Sequence, residues 1–251
     1  MARQTGIIRL KGTIGGVTFY KTADGHLARE KGGVDKNRIA NDPAFQRTRE
    51  NGAEFGRAGA GGKLVRKAIR LLLQNAKDKR VTSRLTQSLM RVIKTDPTNE
   101  RGLRTIPDGD MALINGFEFN INGKLSTVMF APYSPTLDRV AGTLDVEIPV
   151  FTPNASIDAP AGTTHFKIVS GLAEVDFENE EFVFDSQETA ILPWDAQATA
   201  LINLLSTVTA NSTLPLLQVL GVSFYQEVNG DMYPLKNGAY NSLSLIGVDQ
   251  V

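Results

Sequence analysis

The start of the chain alternates apolar and polar residues with a period of two. Val17-Thr18-Phe19-Tyr20 is the clearest such run, and Gly15-Gly16 and Asp24-Gly25 supply turn signals on its two sides. Because successive side chains of a strand point to opposite faces, this pattern predicts an N-terminal β-hairpin. After Gly33 the period lengthens to that of a helix.

About three helices are predicted next. Asn41 or Asp42 ahead of Pro43 is typical of a helix start, since a capping side chain precedes a proline in the first turn. We expect this helix to break at the glycines of residues 59–62. A second helix over residues 63–77 and a third from Thr82 or Ser83 to the residues before Pro97 each carry an apolar stripe. The stripes are Leu64, Val65, Ala68, Ile69 and Leu72 in the second helix, and Leu85, Leu89, Val92 and Ile93 in the third.

From residue 105 onward, short apolar runs alternate with turn signals, among them Asn122-Gly123 and Asn229-Gly230. Runs at this spacing predict an antiparallel β-sandwich or barrel-like domain. The expected fold class is therefore α+β, with an N-terminal β-hairpin and about three helices ahead of the β domain. The predicted strands are residues 117–121, 126–130, 143–150, 164–170, 172–177, 181–184, 189–192, 201–208, 216–226 and 243–248.

One hairpin pattern occurs twice, as GVTFYKTADG at residues 16–25 and as GVSFYQEVNG at residues 221–230. One interpretation is coincidence, because hairpins draw on a small set of turn residues. The other is that one hairpin forms an exposed strand edge that pairs with a sheet of a neighbouring subunit. The residues expected at such an assembly interface are Val17, Phe19, Tyr20, Phe224 and Tyr225.

The formal net charge of zero conceals a large asymmetry. Residues 1–104 hold 23 of the 27 Lys and Arg residues but only 9 of the 27 Asp and Glu residues. Residues 105–251 hold the remaining 4 Lys and Arg residues and the remaining 18 Asp and Glu residues. This division predicts a basic hairpin-and-helix module over residues 1–104 and an acidic β-sandwich-like domain over residues 105–251. Unequal halves of this kind indicate partners or internal docking.

The predicted helices carry a basic face formed by Arg66, Lys67, Arg70, Arg84, Arg91 and Lys94. Three interpretations are open for this face: docking against an acidic protein surface, simple solvation, and neutralisation of nucleic-acid phosphates. Little aromatic interleaving and no recognisable recognition module accompany these cations, which disfavours nucleic acid. The opposite charges of the two halves favour docking against an acidic protein surface.

No pattern indicates an enzyme or a cofactor. The chain has no cysteine, so thiolate chemistry is excluded, and the two histidines, His26 and His165, lack the spacing of a metal site. The stretch GRAGAGGKLVRK departs from a phosphate-binding loop at Arg57 and Leu64. We therefore expect no metal and no small-molecule substrate. We also expect no membrane span, and cytoplasmic synthesis without a signal peptide.

The run from GTIGGVTFYK through DPAFQRTRENGAEFGRA resembles the start of a family of uncharacterised bacterial proteins. The resemblance covers about the first quarter of the chain and implies no known activity. A uniform N-terminal module ahead of a β-sandwich-like body is also similar to virion and phage-tail-like subunits, in architecture alone.

These observations predict a non-catalytic structural protein that assembles head to tail with copies of itself into a ring, tube or filament. Such an assembly could leave the cell as part of a released particle. The alternative is a nucleic-acid-binding protein that uses the basic helical face. A third option is a carbohydrate- or surface-binding sandwich, for which Tyr133, Trp194 and Tyr240 are the candidate contacts.

Overall fold

The computed structural model, which describes residues 2–30 and 32–251, combines helices with antiparallel sheets and so confirms the α+β class. By packing, the chain divides into the units Met1–Arg49 and Glu50–Val251. This division differs from the charge boundary at residue 104 because the helices after Glu50 share a core with the β-rich segment. None of the helices that the described residues form has the length and apolar character needed to cross a membrane.

The first unit contains a four-stranded antiparallel sheet in the order β1-β4-β3-β2. The predicted hairpin is confirmed, with Thr22 opposite Gly25 at its turn. Asp42 caps the 3-10 turn Pro43–Phe45 by accepting a hydrogen bond of 2.9 Å from the Ala44 N–H, as the sequence predicts. The elements are β1 (Ala2–Arg3), β2 (Gly12–Ile14), β3 (Val17–Thr22), β4 (Gly25–Glu30) and a short helix α1 (Lys36–Asn41).

Three helices follow: α2 (Gln46–Ala68), α3 (Arg70–Leu73) and α4 (Val81–Thr95). The predicted break at residues 59–62 is wrong, because α2 runs through all of these glycines. Glycine is needed at position 61 because Ile106 packs directly against the backbone there: a Cβ atom on Gly61 would lie 2.2 Å from Cδ1 of Ile106. The helix ends instead at Ala68, and Ile69 separates it from α3.

Both predicted apolar stripes are confirmed, with Leu72 only partly buried. The end of α4 before Pro97 is confirmed as well. In the loop that follows, the carboxylate of Asp96 accepts hydrogen bonds from the backbone N–H groups of Thr98, Asn99 and Thr105 and from the Asn99 amide. Burial works to raise the pKa of Asp96, but these hydrogen bonds outweigh it and lower the pKa to about 2.

Acid is expected to remove the stabilisation that Asp96 provides. Its folded-state pKa lies below the unfolded value of about 3.9, so the contribution is complete above about pH 4 and is lost as the pH falls towards 2. In urea unfolding followed by the fluorescence of Trp194, we expect stability to fall less steeply with acid in Asp96→Asn than in the wild type. Equal slopes for the two chains would contradict this assignment.

The second unit adds two sheets, one three-stranded in the order β10-β6-β5 and one six-stranded in the order β12-β11-β7-β8, with β13 paired to β11 and β9 to β7. Its short helical turns are α5 (Leu125–Val128) and α6 (Pro153–Ser156). Its strands are β5 (Ser134–Asp138), β6 (Thr143–Ile148), β7 (His165–Asp176), β8 (Glu181–Glu188), β9 (Leu192–Pro193), β10 (Ile202–Thr207), β11 (Leu216–Val228), β12 (Asp231–Pro234) and β13 (Ser242–Asp249).

Several predicted strands differ from this arrangement. Residues 117–121 form no strand, although the bridge between Glu118 and Ser244 and backbone hydrogen bonds of Phe117 and Phe119 join them to β13. Residues 126–130 overlap the helical turn α5. Gly123 lies between these two segments and not in a hairpin turn, and its Cβ would lie 2.3 Å from the Tyr240 carbonyl oxygen. Residues 164–170 and 172–177 belong to the single strand β7, and most of residues 189–192 lie outside any strand.

The six-stranded sheet has a hydrophobic core on each face. On β7, Val169, Ala173 and Val175 belong to a cluster with the helices, whereas Phe166 and Leu172 belong to a second cluster with β6 and β10. This alternation follows from the two-residue period of a strand. The basic helices and the acidic β segment are therefore layers of one unit within a single chain.

Candidate functional site

Strands β3 and β11, which carry the two copies of the repeated pattern, lie inside their sheets, and for these strands the predicted exposed edge is wrong; β12, the second strand of the second hairpin, lies at a sheet edge. Strand β3 pairs with β4 along its whole length and with β2 at residues 17–19. Strand β11 pairs with β7 on one side, and with β13 and then β12 on the other. A period-two pattern indicates a strand but does not distinguish an edge strand from a central one, because the partners come from elsewhere in the chain.

The repeated pattern also forms hairpins of different register. Tyr20 lies opposite Leu27, with a turn of two residues at 23–24, whereas Tyr225 lies opposite Pro234, with the turn at Asn229-Gly230. Asn229 and Gly230 both have positive φ, as a type I′ turn requires. The repeat therefore reflects shared hairpin chemistry without equivalent geometry.

The five predicted interface residues differ in their accessibility. Val17 is 38% exposed, and Phe19, Tyr20 and Tyr225 are half-buried. Phe224 is 1% exposed and belongs to the core cluster that contains Phe166 and Leu172. The prediction that Phe224 lies at an interface is wrong, because its side chain faces the interior of the sheet layer.

The predicted basic face does not act as one surface. Arg84 is directed inward: its guanidinium pairs with Asp78, donates to the carbonyl oxygen of Glu118 at 2.7 Å and lies 5.0 Å from the ring centre of Phe117. Burial tends to raise the pKa of Asp78, but backbone hydrogen bonds and Arg84 together lower it. Arg84 therefore holds residues 117–119 against α4.

Two further cations of this face are held within the chain. Arg66 donates to the Gly62 carbonyl oxygen at 2.9 Å and to the Thr82 hydroxyl at 2.6 Å. Lys67 lies 5.5 Å from the ring centre of Phe182, on the acidic β8. Arg70, Arg91 and Lys94 are exposed and form no ion pair with any residue that the structure describes.

Arg91 and Lys94 lie at the rim of a groove between α2 and α4, with a volume of about 730 Å³. Its apolar part includes Phe55, which is 62% exposed, together with Met90 and Gly59, and Lys79 adds a third cation. We call this the α2–α4 groove. The sequence shows Phe55 beside glycines on one side of a helix, but periodicity does not reveal that the side faces solvent.

The glycines beside Phe55 fall into two classes. Apart from the adjacent residues and the backbone of α2 itself, a Cβ atom at Gly52, Gly56 or Gly59 would meet no described atom within 4 Å, whereas Gly61 and Gly62 pack against neighbouring side chains. Positions 52, 56 and 59 are four and three residues apart and so share one face of α2. Gly59 lines the groove, and the same face of α2 is open at Gly52 and Gly56.

A second cavity, of about 440 Å³, lies at the turn between α3 and α4. Four cationic side chains line it: Arg66, Arg70, Lys77 and Lys79. We call it the basic cavity. The sequence-based face included only the two arginines: Lys77 is the last residue of the predicted second helix, and Lys79 lies in the segment between the predicted helices.

The turn between β7 and β8 is the most acidic exposed segment. Glu178, Glu180 and Glu181 are exposed and form no ion pair with a described residue. Asp176 shapes this turn, because its carboxylate accepts hydrogen bonds from the Asn179 N–H, the Asn179 side-chain amide and the Glu178 N–H. These hydrogen bonds also lower the pKa of Asp176. Glu180 has a φ of 56°. We call residues 178–181 the acidic turn.

The two histidines were also considered as metal ligands. Among residues 2–30 and 32–251, no group of three His, Asp or Glu side chains could hold a metal ion. His165 Nε2 lies 3.9 Å from a carboxylate oxygen of Glu227.

The three aromatic residues suggested for surface binding are not equivalent. The Trp194 indole donates to the Ile157 carbonyl oxygen at 3.1 Å, and Trp194 and Tyr133 both pack against the second core cluster. Tyr240 is 40% exposed, with the ammonium of Lys236 5.0 Å from its ring centre. Two of the three thus have structural roles.

Comparison with known proteins adds no relative. No family model matches the chain, and no curated protein or solved structure matches it either. The similarity of the N-terminal run to uncharacterised bacterial proteins therefore stays a prediction.

Proposed function

We propose that this is a non-catalytic structural protein whose copies assemble head to tail, with the acidic turn of one copy in the α2–α4 groove of the next. The open groove carries the proposal. Exposed apolar surface of this kind is typical of protein interaction sites. Strands β3 and β11 take no part, since each lies between other strands of its own sheet.

The glycines of α2 support a partner at the groove. Glycine within a helix costs about 1 kcal/mol relative to alanine, and nothing in the described chain occupies the space at Gly52, Gly56 and Gly59. A docked segment would use that space and would also cover Phe55. The cost of the glycines is then offset in the assembly and not in the isolated chain.

Charge selects the acidic turn as the docked segment. The groove presents Lys79, Arg91 and Lys94, and the turn presents three carboxylates. Complementary charges speed encounter and fix register, while burial of Phe55 and Met90 supplies the apolar part of the contact. Because groove and turn are different surfaces, the contact is heterologous and generates rings or open filaments.

The test is charge reversal on each side of the contact. Arg91→Glu with Lys94→Glu, or Lys at all three glutamates of the acidic turn, is expected to weaken association at least about tenfold, which is about 1.4 kcal/mol. An equimolar mixture of the two variants should regain assembly, because each groove then meets a turn of opposite charge. Sedimentation and negative-stain electron microscopy at about 50 mM and about 500 mM NaCl measure this.

The control is Arg70→Glu with Lys77→Glu, which changes the net charge equally but lies outside the groove. This variant should assemble as the wild type does. Uniform single particles of the wild type at both salt concentrations would reject assembly. Assembly by the groove variant at wild-type strength would reject the groove as the contact.

A further inference from the structure

The basic cavity is built by the reversal of the chain between α3 and α4. Leu73 and Val81 lie on its wall and are buried, which fixes the ends of the two helices relative to each other. Gln74 and the hydroxyl of Thr82 add polar groups to the wall. The first turn of α4, where the helix dipole is positive, also lines it. The cavity thus combines positive charge with hydrogen-bond donors.

Its cations are available for a ligand. Arg70, Lys77 and Lys79 form no ion pair or side-chain hydrogen bond with any residue that the structure describes. Arg66 is held in place by Gly62 and Thr82, so its guanidinium is ordered before a ligand arrives. Four cations around about 440 Å³ repel one another, and a bound anion would relieve that repulsion.

One carboxylate also lines the cavity, that of Asp78. Its charge is engaged elsewhere, because it pairs with Arg84 and accepts hydrogen bonds from the backbone N–H groups of Ile121 and Arg80. The local balance therefore stays strongly positive. The side of the cavity that Asp78 lines is not suited to binding an anion, because a carboxylate repels negative charge.

We propose that the basic cavity is a binding site for phosphate groups, which goes beyond the assembly proposed above; of its lining residues, only Lys79 and Thr82 also line the groove. The forked donors of Arg66 and Arg70 match phosphate oxygens in pairs, and Lys77 and Lys79 add mobile point charges. Several cations favour a ligand with more than one phosphate. This chemistry is supplied either by a small polyphosphate or by the backbone of a nucleic acid.

The experiment uses the full-length chain with two probes, tripolyphosphate by calorimetry and a generic 20-base-pair DNA duplex by fluorescence anisotropy (about two helical turns). Arg70→Glu with Lys77→Glu is expected to raise the dissociation constant for the bound probe at least about tenfold. The groove variant, Arg91→Glu with Lys94→Glu, carries the same charge change and should keep the dissociation constant within about twofold of the wild-type value. Arg70→Gln with Lys77→Gln repeats the test with a milder change.

The two probes identify the source of the phosphate. Tripolyphosphate binding alone assigns the cavity to small polyphosphates. Duplex binding assigns it to nucleic acid if the slope of log K against log salt falls by about 1.8 on loss of two cations. The proposal is overturned if the wild type binds neither probe, or if the cavity and groove variants lose binding equally. Because the cavity variant is expected to assemble normally, failure here is distinct from failure of the assembly proposal.

Discussion

Phe224→Ala is expected to lower the free energy of unfolding by about 3–5 kcal/mol, the cost of removing a large aromatic side chain from a packed core. Phe224 is 1% exposed and packs in the cluster that also contains Leu172 and Leu220. Urea unfolding followed by fluorescence of Trp194, the single tryptophan, reports on this cluster because Trp194 packs against it.

The matched control is Phe19→Ala, the same position in the other copy of the repeated pattern. Phe19 is half-buried and belongs to the other compact unit, so the Trp194 transition should stay within about 0.5 kcal/mol of the wild type. Equal losses in the two variants would contradict the different environments of the two phenylalanines. A stable Phe224→Ala chain that fails to assemble would restore the interface role.

Arg84→Met is expected to destabilise the protein by about 3 kcal/mol, at the lower end of the range for removing one partner of a buried ion pair. The substitution leaves the carboxylate of Asp78, whose side chain is 6% exposed, without its guanidinium. It also removes the hydrogen bonds to the carbonyl oxygens of Glu118 and Phe119 and the contact with the ring of Phe117.

Arg91→Met on the same helix is the control for this change. Arg91 is exposed at the rim of the α2–α4 groove, so its loss should change the free energy of unfolding by less than about 0.5 kcal/mol. The two arginines lie on one predicted basic face, yet one is expected to affect stability and the other assembly. Similar unfolding curves for both variants would contradict the structural role of Arg84.

The candidate sites were only partly predictable from sequence. Four of the site residues were identified from sequence as cations on helices. In the structure, Arg91 and Lys94 line the α2–α4 groove, whereas Arg66 and Arg70 line the basic cavity. Phe55, Lys77 and Lys79 were not among the predicted site residues, because their importance depends on which surfaces meet around them. Periodicity places a residue on a helix face but does not show whether another element covers that face.

Glycine illustrates the same distinction. The sequence pattern at residues 59–62 predicted a helix break, since glycine disfavours helices by about 1 kcal/mol. In the structure Ile106 and Phe177 pack close to Gly61, and that tertiary contact outweighs the local propensity. At Asn229-Gly230 no such contact competes, and the local turn preference decides the structure.

By itself, the sequence determined the α+β class, the apolar stripes of the helices, the end of α4 before Pro97, the turn at Asn229-Gly230 and the separation of charge along the chain. Each of these depends on interactions between neighbouring residues or on composition. Only the tertiary structure decided that β3 and β11 are central strands, that Phe224 is core, that Arg84 is internal and that Phe55 and Gly59 line a basic groove. Those features depend on contacts between distant segments, where packing in three dimensions outweighs local preference.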